Sequence, residues 1–537
     1  MGLGIDFGTT RTVVAFSDRG NFPVVSFETH LGDSVEWFPS MVAERNGELL
    51  FGLDAHAVAG DPTYAHLRSF KRLLSGKSAS ATSEVTIGST TLRTTEVLDR
   101  FVLALKDALL SRSNFATHAS KKKTKVSLDE LDAVIATPAN AFCTQRFATL
   151  EAFRRAGFIV RSMLNEPSAA GFEFSHRHAR SLSSKREHVI VYDLGGGTFD
   201  ASLVHVTGTH HDVVATAGLA SLGGDDFDDA LADLVAKEAS FDRAGLTPHR
   251  SQRLLDACRD AKEGLNASSR RITVELQDVI DGGTSSTIAT NEFYDAVTPL
   301  VERTIEAMQP LVHREALVEG AGSGETAERS DEGEEPKGIE LEGIAGIYIV
   351  GGASSLPIVG RILRSRYGKR VHRSPYPHAA VAIGLAIATD NAGAFELDDR
   401  FSRNFGVFRE AASGARASYD PIFTREMPLP RPGTPSLVVS RRYRAAHDVG
   451  HYRFFECADL DSAGEPRGDL APLSDLYFPF EPQLRNEPAL EKRQVHRLRG
   501  AGPLIEERYA MDARGLIEIT IVDLETGFER KKTLGAA

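Results

Sequence analysis

The chain has 537 residues, 42% of them hydrophobic and 25% charged, with a formal net charge of −12. This length is too great for one hydrophobic core, and the composition is that of a globular protein with two or more domains. The negative charge argues against nucleic acid or an anionic membrane surface as a partner. Three scattered cysteines exclude a disulfide framework or a zinc site, and they favour a reducing compartment.

The N-terminal residues predict a strand and not a targeting signal. Leu3, Ile5 and Phe7 alternate with small or polar residues, and no cationic segment followed by an apolar one is present. Nowhere does the chain approach the run of about 18 apolar residues that a membrane helix needs. We therefore expect a cytoplasmic protein.

Strand-like and helix-like segments alternate up to about residue 390. Continuous apolar runs predict strands that are buried on both faces, which favours parallel pairing in an α/β domain. These runs are Leu3–Phe7, Val134–Thr137, Val189–Leu194, Val213–Ala217 and Ile344–Val350. Helical spacing predicts helices over Thr95–Ser111, Thr144–Gly157, Asp225–Ser240, Ser251–Leu265 and Asn291–Met308.

Two polar segments have the composition of solvated surface insertions. Ser111–Lys125 contains four lysines, and Gly320–Gly343 is rich in Gly, Ser and Glu. A contact with a partner is the alternative interpretation of either segment.

The composition and pattern of the sequence change after about residue 390, where prolines cluster and short β-type runs follow. Asp512–Gly515 and Asp523–Gly527 are typical of turns between strands. The predicted strands are Ser436–Ser440, Tyr452–Cys457, Leu476–Phe480 and Leu516–Val522. This pattern predicts a separate, mostly β domain, and we expect no long helical tail after it.

Two glycine turns carry the chemistry of the first part of the chain. Asp6 ends a strand and is followed by Gly8, Thr9 and Thr10. The stretch Asp193–Asp200 repeats this plan with Gly195, Gly196, Gly197 and Thr198. Glycines let backbone N–H groups approach anionic oxygens, threonine hydroxyls add donors, and nearby carboxylates can hold a hydrated Mg²⁺. The pattern predicts a duplicated lobe that faces one nucleotide from two sides.

Each turn alone could be a simple hairpin. Against that alternative, a third glycine turn at Gly351 and Gly352 again follows an apolar strand. Other phosphate signatures fail, because the P-loop reading of Gly76-Lys77-Ser78 would need a glycine where Lys71 stands. The dinucleotide fingerprint that starts at Gly2 would need a glycine at Phe7.

In order and spacing, five stretches resemble the seventy-kilodalton heat-shock (DnaK-type) chaperone family of the actin-like ATPase superfamily. They are Gly4–Thr10, Asn165–Ala170, Asp193–Asp200, Leu222–Asp228 and Val350–Gly352. The resemblance covers most of residues 1–390 and, more weakly, the β region. It implies an α/β fold: a two-lobed actin-like ATPase (duplicated ribonuclease H-like) domain, followed by a mostly β domain.

The resemblance also implies roles for individual residues. Thr9, Thr10 and Thr198 match phosphate contacts, and Lys71 matches the lysine that reaches the γ-phosphate and the attacking water, although a solvated helix lysine is the alternative. The remaining implied nucleotide contacts are Gly8, Gly195, Gly196, Gly197, Gly223, Gly224, Lys262, Gly351, Gly352 and Ser355.

Carboxylates complete the implied site. Asp6, Asp193 and Asp200 match the acids that organise Mg²⁺ and water, and the metal contact of Asp6 and Asp193 would run mostly through water. Glu166 matches an acid between the lobes, while Pro138 and Arg146 match a proline switch and a relay arginine. The implied reaction is in-line attack of water on the γ-phosphorus, aided by positioning and charge neutralisation.

The adenosine side departs from the family pattern. Arg259 stands where the family has an acid, and the position after Lys262 is the acidic Glu263. Ser355 replaces a family arginine that flanks adenine, and His378 replaces another acid. Loss of stacking and of charged hydrogen bonds could each weaken nucleotide binding by roughly 1–2 kcal/mol. We expect ATP and ADP to bind with Mg²⁺, with base preference left open.

The region between the domains also departs from the pattern. Phe401–Gly406 stands near the position of a short leucine-rich linker, and we expect no helical lid on the β domain. We predict a nucleotide-binding domain at residues 1–392, with lobes of about 1–185 and 186–392, and a β-rich peptide-binding domain at 393–537.

The predicted function is a slow ATPase and chaperone that binds a polypeptide client, with a co-chaperone or nucleotide-exchange partner. A nucleotide-gated scaffold with little ATPase or peptide-binding activity is the alternative. A small-molecule kinase is a third possibility that the fold allows, although no sugar pocket is recognisable in the C-terminal region.

Overall fold

A computed structural model describes residues 2–74, 83–121, 131–138, 141–183, 185–219, 221–320, 343–390, 396–401, 403–411, 416–425 and 427–534. Two α/β lobes are followed by a β-rich C-terminal region, which confirms the predicted fold class. The predicted division at residues 392 and 393 falls between described segments and stays a prediction.

The first lobe is built around a five-stranded main sheet, and further strands of the lobe lie outside that sheet. Its strands are β1 (Leu3–Phe7), β2 (Arg11–Phe16), β3 (Phe27–Glu28), β4 (Ser34–Val35), β5 (Phe38–Pro39), β6 (Met41–Arg45), β7 (Glu48–Phe51), β8 (Ala65–Arg68), β9 (Glu84–Ile87), β10 (Thr90–Arg93), β11 (Leu131–Thr137) and β12 (Phe158–Asn165). Its helices are α1 (Leu53–Ala57), α2 (Thr94–Ser111), α3 (Asn114–Lys121), α4 (Cys143–Arg155) and α5 (Glu166–His178). The main sheet has the order β12-β11-β1-β2-β5.

The second lobe repeats this plan on a six-stranded sheet. Its strands are β13 (His188–Leu194), β14 (Phe199–Thr207), β15 (His210–Leu219), β16 (Arg271–Glu275), β17 (Ser285–Ala289), β18 (Ile344–Val350), β19 (Val371–Arg373) and β20 (Glu396–Asp398). Its helices are α6 (Gly224–Glu238), α7 (Pro248–Glu263), α8 (Thr290–Gly320), α9 (Pro357–Tyr367) and α10 (Ala380–Ala388). The sheet has the order β19-β18-β13-β14-β15-β20.

Both sheets are mixed, so the expectation of parallel pairing is confirmed only in part. β1 pairs in parallel with β11, and β13 in parallel with β18. However, β1–β2 and β13–β14 are antiparallel, because each glycine turn connects neighbouring strands directly. β15, which covers the predicted strand Val213–Ala217, is also antiparallel to β14. Each glycine turn is therefore the tip of a hairpin, and the same hairpin occurs once in each lobe.

Helices α5 and α10 form the layer between the two lobes. Gly384 of α10 lies so close to α5 that a Cβ there would be 1.8 Å from the carbonyl oxygen of Ala169. Gly4 of β1 lies similarly close to α10, since a Cβ there would be 2.3 Å from the carbonyl oxygen of Ala382. Small residues at these positions therefore let the two lobes share one apolar layer.

An aromatic cluster in the first lobe fixes two segments that lead into the cleft. The ring of Phe7, at the end of β1, lies 5.6 Å from that of Phe101 and 6.3 Å from that of Phe70. Phe70 begins a short 3₁₀ helix, Phe70–Leu74, that carries Lys71. Burial of these rings holds Asp6 and Lys71 at fixed positions beside the core.

The C-terminal region is a sandwich of two four-stranded antiparallel sheets around one apolar core. Its strands are β21 (Asn404–Ala411), β22 (Arg416–Phe423), β23 (Leu437–Arg444), β24 (Val449–Leu460), β25 (Pro466–Pro479), β26 (Leu504–Met511), β27 (Ile517–Asp523) and β28 (Glu529–Thr533). The sheets have the orders β22-β21-β24-β25 and β23-β26-β27-β28.

One predicted surface insertion is partly wrong. Within Ser111–Lys125, residues 114–121 form helix α3, because Phe115 is buried with its ring 5.5 Å from that of Phe16. The rest of that segment, from residue 122, and residues 321–342 of the second insertion lie outside the described residues. Across the described ranges, helices of the length and apolarity needed to cross a membrane are not found.

The described part of the segment between the lobes and the sandwich contains a short strand. Residues 396–398 form β20, which pairs in parallel with His210–Asp212 of β15 at the edge of the second-lobe sheet. The connection thus extends this sheet although it is not leucine-rich.

Candidate functional site

A cavity of about 880 Å³ opens between the two lobes, and most of the predicted site residues line it. These are Asp6, Gly8, Thr9, Thr10, Lys71, Glu166, Asp193, Gly195, Gly196, Thr198, Gly224, Lys262, Gly351, Gly352 and Ser355. Gly197, Asp200 and Gly223 do not line the cavity. Asp200 is a buried neighbour of Asp193 on β14, and Gly223 packs behind the second glycine turn.

The first glycine turn is the tip of the β1–β2 hairpin. Gly8 donates its N–H to the carbonyl oxygen of Asp6 over 3.1 Å, and its own carbonyl accepts from Ser40 Oγ at 2.9 Å. A Cβ at Gly8 would lie 2.3 Å from the carbonyl oxygen of Arg11, so this turn needs glycine.

The second glycine turn is held by the start of helix α6. Gly224 donates its N–H to the carbonyl oxygen of Gly195 over 2.9 Å, and Asp225 donates to that of Gly196 over 2.7 Å. A Cβ at Gly223 would lie 2.6 Å from the N atom of Gly197. The predicted glycine pair at 223 and 224 therefore supports the turn from behind.

The two turns face each other across the cleft. A Cβ at Gly196 would lie 2.8 Å from Oγ1 of Thr10, and a Cβ at Gly197 would lie 3.0 Å from Cγ2 of Thr9. The third turn is also adjacent, since Gly351, at φ +88°, lies close to the carboxylate of Asp193. Glycine turns and threonine residues of both lobes thus line one space, as binding of a triphosphate requires.

Lys71 lies at the base of this space and is only 3% exposed, so the interpretation as a solvated lysine is wrong. Its ammonium group donates to the carbonyl oxygen of Phe7 and to Oε1 of Glu166, the latter over 3.0 Å. Glu166 begins helix α5 and is itself 9% exposed. This buried ion pair places one cation beside the ends of β1 and β12.

Carboxylates outnumber cations at the base of the cleft. Burial, and then repulsion from Glu166, raise the pKa of Asp6 to about 7, against an opposing effect of Lys71. Burial, Glu166, Asp6 and Asp200 raise the pKa of Asp193 well above its usual value. Such mutual repulsion between buried acids is relieved when a divalent cation binds, so the donor set fits Mg²⁺.

Direct metal ligation is a separate matter. In the part of the chain that the structure describes, no three His, Cys, Asp or Glu side chains come together to hold a metal ion by themselves. The metal contact through water at Asp6 and Asp193 stays a prediction.

The nucleoside end of the cavity is built differently from the phosphate end. Lys262 does not point freely into it, because its ammonium group donates to the carbonyl oxygen of Gly224 over 2.7 Å and pairs with Asp228 at 2.5 Å. Arg259 also binds Asp228, at 3.0 Å. Ser355 is exposed to the cavity. The residues predicted to contact the nucleoside line the cavity, but Arg259 and Lys262 of helix α7 are engaged by α6.

Comparison with known proteins agrees with this geometry. The family profile described as Hsp70 protein matches residues 2–319. The chain belongs to the Hsp70 family. It is similar to chaperone protein HscA of Klebsiella pneumoniae, with 32% identity over 396 residues. It is also similar to HscA homologues of Tolumonas auensis, with 32% identity over 400 residues, and of Pseudomonas fluorescens, with 30% over 418 residues.

These alignments cover 73%, 72% and 76% of this chain, and 58%, 57% and 57% of the respective relatives. The chain therefore matches less than two thirds of the length of the curated relatives.

The Hsp70-type relay position is an interdomain contact in this chain. Arg146, 1% exposed, donates from Nη1 to Oγ1 of Thr137 over 2.8 Å and from Nη2 to the carbonyl oxygen of Arg514 over 3.0 Å. Arg514 lies in the predicted turn Asp512–Gly515 of the sandwich. Pro138 directly follows β11, beside Thr137. Their roles as switch and relay stay predictions.

Three residues at the cleft or behind it were missed by sequence reasoning. Arg11 pairs with Glu263 across the mouth of the cleft, with a distance of 2.5 Å. Arg72 donates to the carbonyl oxygen of Gly197 over 3.1 Å. Asp399 accepts hydrogen bonds from Asn165, the neighbour of Glu166. All three join segments that are far apart in the chain, and no local pattern marks such contacts.

Proposed function

We propose that this Hsp70-family chain hydrolyses ATP slowly in the cleft between its lobes, and that the nucleotide state controls binding of a polypeptide by the β domain. The observation that carries the proposal is the buried Lys71–Glu166 pair, at 3.0 Å, below two facing glycine turns. A cation held this way supplies positive charge where a γ-phosphate would lie.

The phosphate-binding roles follow from the arrangement of the turns. The N–H groups of Gly8 and Gly195 donate within their own turns, so the N–H groups of Gly196 and Gly197, with the hydroxyls of Thr9, Thr10 and Thr198, would bind the phosphate oxygens. The turn at Gly351 and Gly352 would hold the nucleoside side together with Lys262 and Ser355. Gly352 fits this role because no protein atom lies within 4 Å of a Cβ at that position.

The acids would act with the metal and the water. Asp6 and Asp193 would hold the hydrated ion, with Asp200 behind them. Bound Mg²⁺ would neutralise phosphate charge and orient the nucleotide. Lys71 and Glu166 would orient the attacking water, and ionised Asp193 or Glu166 would accept its hydrogen bond.

ATP should bind with reduced affinity. Glu263 and Ser355 provide no guanidinium to stack on a base, while Arg259 is engaged by Asp228. The phosphate end retains all of its predicted side chains, so the phosphates and Mg²⁺ should contribute most of the binding energy.

Coupling to the β domain is supported by two contacts. β20 extends the second-lobe sheet, and Arg146 of the first lobe binds the turn at Arg514. The domain division at 392 and 393 remains part of the proposal, with β20 as the part of the connection that docks on the second lobe. The client would be an extended polypeptide bound through strand edges of the sandwich, with a co-chaperone or exchange factor as a further partner and the cytoplasm as the compartment.

A nucleotide-gated scaffold is the second candidate, and one feature of the sandwich favours it. Arg409 of β21 forms a bidentate pair with Glu507 of β26, at 2.9 and 2.8 Å, and Tyr443 of β23 bonds to Tyr452 of β24 at 2.6 Å. These polar contacts occupy space between the two sheets, where an apolar side chain of a client would otherwise insert.

Calorimetric titration and single-turnover hydrolysis distinguish the candidates. The parent should bind Mg·ATP at millimolar nucleotide, and Lys71→Ala and Asp193→Ala should slow hydrolysis by about 100-fold or more. Lys237→Ala, on the exposed face of α6, is the matched control and should hydrolyse at the parent rate. Absence of binding would end both proposals. Equal, slow hydrolysis by the parent and both site variants would favour the scaffold.

A further inference from the structure

Helix α4 begins in the first lobe without a cap of its own. Its N-cap residue is Phe142, whose side chain makes no capping hydrogen bond. The first N–H groups of a helix have no partner inside the helix, and a buried N–H without an acceptor is costly. Cys143, the first helical residue, is buried. The N-terminus of α4 therefore needs an acceptor from elsewhere.

The acceptor is supplied by the β domain. The N–H of Cys143 points at both carboxylate oxygens of Glu456 on β24, at 3.2 and 3.3 Å. Glu456 is 1% exposed, so this contact is shielded from water. An ionised carboxylate at the start of a helix also interacts favourably with the helix dipole, and a neutral carboxyl group there still provides an acceptor oxygen. Glu456 is thus an N-cap that belongs to another domain.

A second side chain secures the same helix end. The guanidinium of Arg403, which precedes β21, lies 4.2 Å above the ring of Phe142. It pairs with Asp469 at 2.7 Å and with Glu456 at 3.7 Å. The N-cap residue and the first residue of α4 are therefore both held by groups on the far side of the interface.

The first turn of α4 also carries Arg146. Arg146 donates to Thr137, to the Arg514 carbonyl oxygen and, over 3.4 Å, to Oδ1 of Asn165. Asn165 directly precedes Glu166. The position of the segment that contains the proposed catalytic acid, Glu166, therefore depends on whether the first turn of α4 is ordered.

We propose that Glu456 of the β domain caps helix α4. Docking of the β domain and ordering of the first turn of α4, which contains Arg146, then occur together, and both depend on pH. This inference rests on the proposed coupling of the two domains and makes Glu456 a positioning residue. When the β domain separates, α4 loses its acceptor and Cys143 becomes accessible.

The proton sensitivity follows from the burial of Glu456. Burial raises its pKa from an ordinary value of 4.5 to about 7, against the opposing effects of Arg403 and of the hydrogen bonds from Cys143. The charged and titratable groups that face it are Cys143 and Arg146 of α4, Arg403, Asp469 of β25, and Tyr419 of β22. Because the docked state binds this proton more tightly, docking is strongest below pH 4.5 and weakens as the pH rises through about 7.

Cys143 provides a direct probe of this event in the full-length protein. We would measure the labelling rate of Cys143 with a maleimide by peptide mass spectrometry, together with amide exchange over residues 143–146. The variants are Glu456→Ala, which removes the acceptor, and Glu456→Gln, which keeps one acceptor oxygen and cannot ionise. Glu518→Ala, on the exposed face of β27, is the control.

Glu456→Ala should increase labelling and exchange by about fivefold, the effect of losing one helix cap. At pH 8, Glu456→Gln should label no faster than the parent. The ratio of parent to Glu456→Gln labelling should rise between pH 5 and pH 8, a comparison at equal pH that cancels the thiol's own ionisation. Glu518→Ala should behave as the parent.

The proposal is overturned if Glu456→Ala labels at the parent rate, or if the parent and Glu456→Gln share one pH dependence. Should Glu456→Ala fail to fold, the comparison with Glu456→Gln decides alone. None of these measurements needs nucleotide, so failure of the proposed ATPase would be seen separately in the titration with Mg·ATP.

Discussion

Asn165 donates its backbone N–H and its side-chain Nδ2–H to the two carboxylate oxygens of Asp399, each over 2.8 Å. Asn165 ends β12 and precedes Glu166, whereas Asp399 directly follows β20. The segment that joins the domains is therefore bonded to the residue next to the proposed catalytic acid.

Removal of this carboxylate should weaken both stability and coupling. Asp399→Ala removes the acceptor of the buried N–H of Asn165 and leaves its Nδ2 with only a 3.4 Å contact to the Arg400 carbonyl oxygen, and we expect the free energy of unfolding to fall by about 2–4 kcal/mol. Urea denaturation would measure it. The control is Asp398→Ala, which loses a surface pair with Arg431 and should cost no more than about 1 kcal/mol. Equal losses in both variants would contradict the structural role of Asp399.

Closure of the cleft depends on the absence of a side chain at Gly196. A Cβ there would lie 2.8 Å from Thr10, so Gly196→Ala should force the facing turns apart and misplace the phosphate donors. We expect affinity for Mg·ATP to fall at least about tenfold, which is about 1.4 kcal/mol. Titration calorimetry measures this.

Gly500→Ala provides the matched control for that substitution. In the β domain, no atom lies within 4 Å of a Cβ at Gly500, and its backbone needs no left-handed conformation. This variant should bind nucleotide as the parent does. If Gly196→Ala also binds normally, the two turns do not share one ligand.

The ion pair between Arg11 and Glu263 should slow nucleotide release. It spans the lobes at the cleft mouth, and its partners are 32% and 43% exposed, so its effect is small and screened by salt. We expect Glu263→Gln to accelerate ADP release about two- to threefold at low ionic strength and less at high salt.

Trp37 reports this release without an added label. It is the single tryptophan of the chain, and its ring lies 4.6 Å from the guanidinium of Arg11. Stopped-flow fluorescence would follow ADP displacement by excess ATP. Glu529→Gln, an exposed change in β28, is the control. An ADP release rate that is unchanged in Glu263→Gln at low salt would contradict the proposed role of the Arg11–Glu263 ion pair in slowing release.

His211 makes stability depend on pH in the acid range. Its ring is fully buried on β15, where Nδ1–H donates to the Thr209 carbonyl oxygen over 3.1 Å and Nε2 accepts from Ser175 at 2.7 Å. Burial lowers its pKa from 6.5 to about 4. The unfolded chain therefore binds this proton first, and the stability present above pH 6.5 is lost as the pH falls towards 4.

The loss should reach about 3 kcal/mol at pH 4, because each pKa unit corresponds to about 1.4 kcal/mol. Denaturation midpoints of the parent and His211→Gln across pH 4–7 would isolate it, since Gln cannot take up the proton. His496→Gln removes a surface histidine and should keep the pH dependence of the parent. Parallel curves for the parent and His211→Gln would contradict the prediction.

Local patterns were sufficient for the elements that bear the glycine turns. β1 and β18 begin and end where apolar runs predicted, because such a run and a following glycine are both local properties. The convergence of the turns at Thr10 and Gly196 also followed from their repeated order. Lys71 carries no such local signal, and its position was predicted only through the family resemblance.

Contacts between distant segments could not be predicted. The pairing of Arg11 with Glu263, and of Cys143 with Glu456, depends on how lobes and domains pack, and each partner alone looks like an ordinary surface residue. Helix α3 was missed because the run of lysines at and after its end suggested solvation of the whole segment, whereas burial of Phe115 decides its structure.

Three residue pairs between β15 and β20 complete the edge of the second-lobe sheet. If the connection withdraws, the main-chain groups of His210–Asp212 lose their neighbour and can pair with any other extended chain. The connecting strand thus protects the nucleotide domain from self-association, and the undocked form should be the more prone to aggregate.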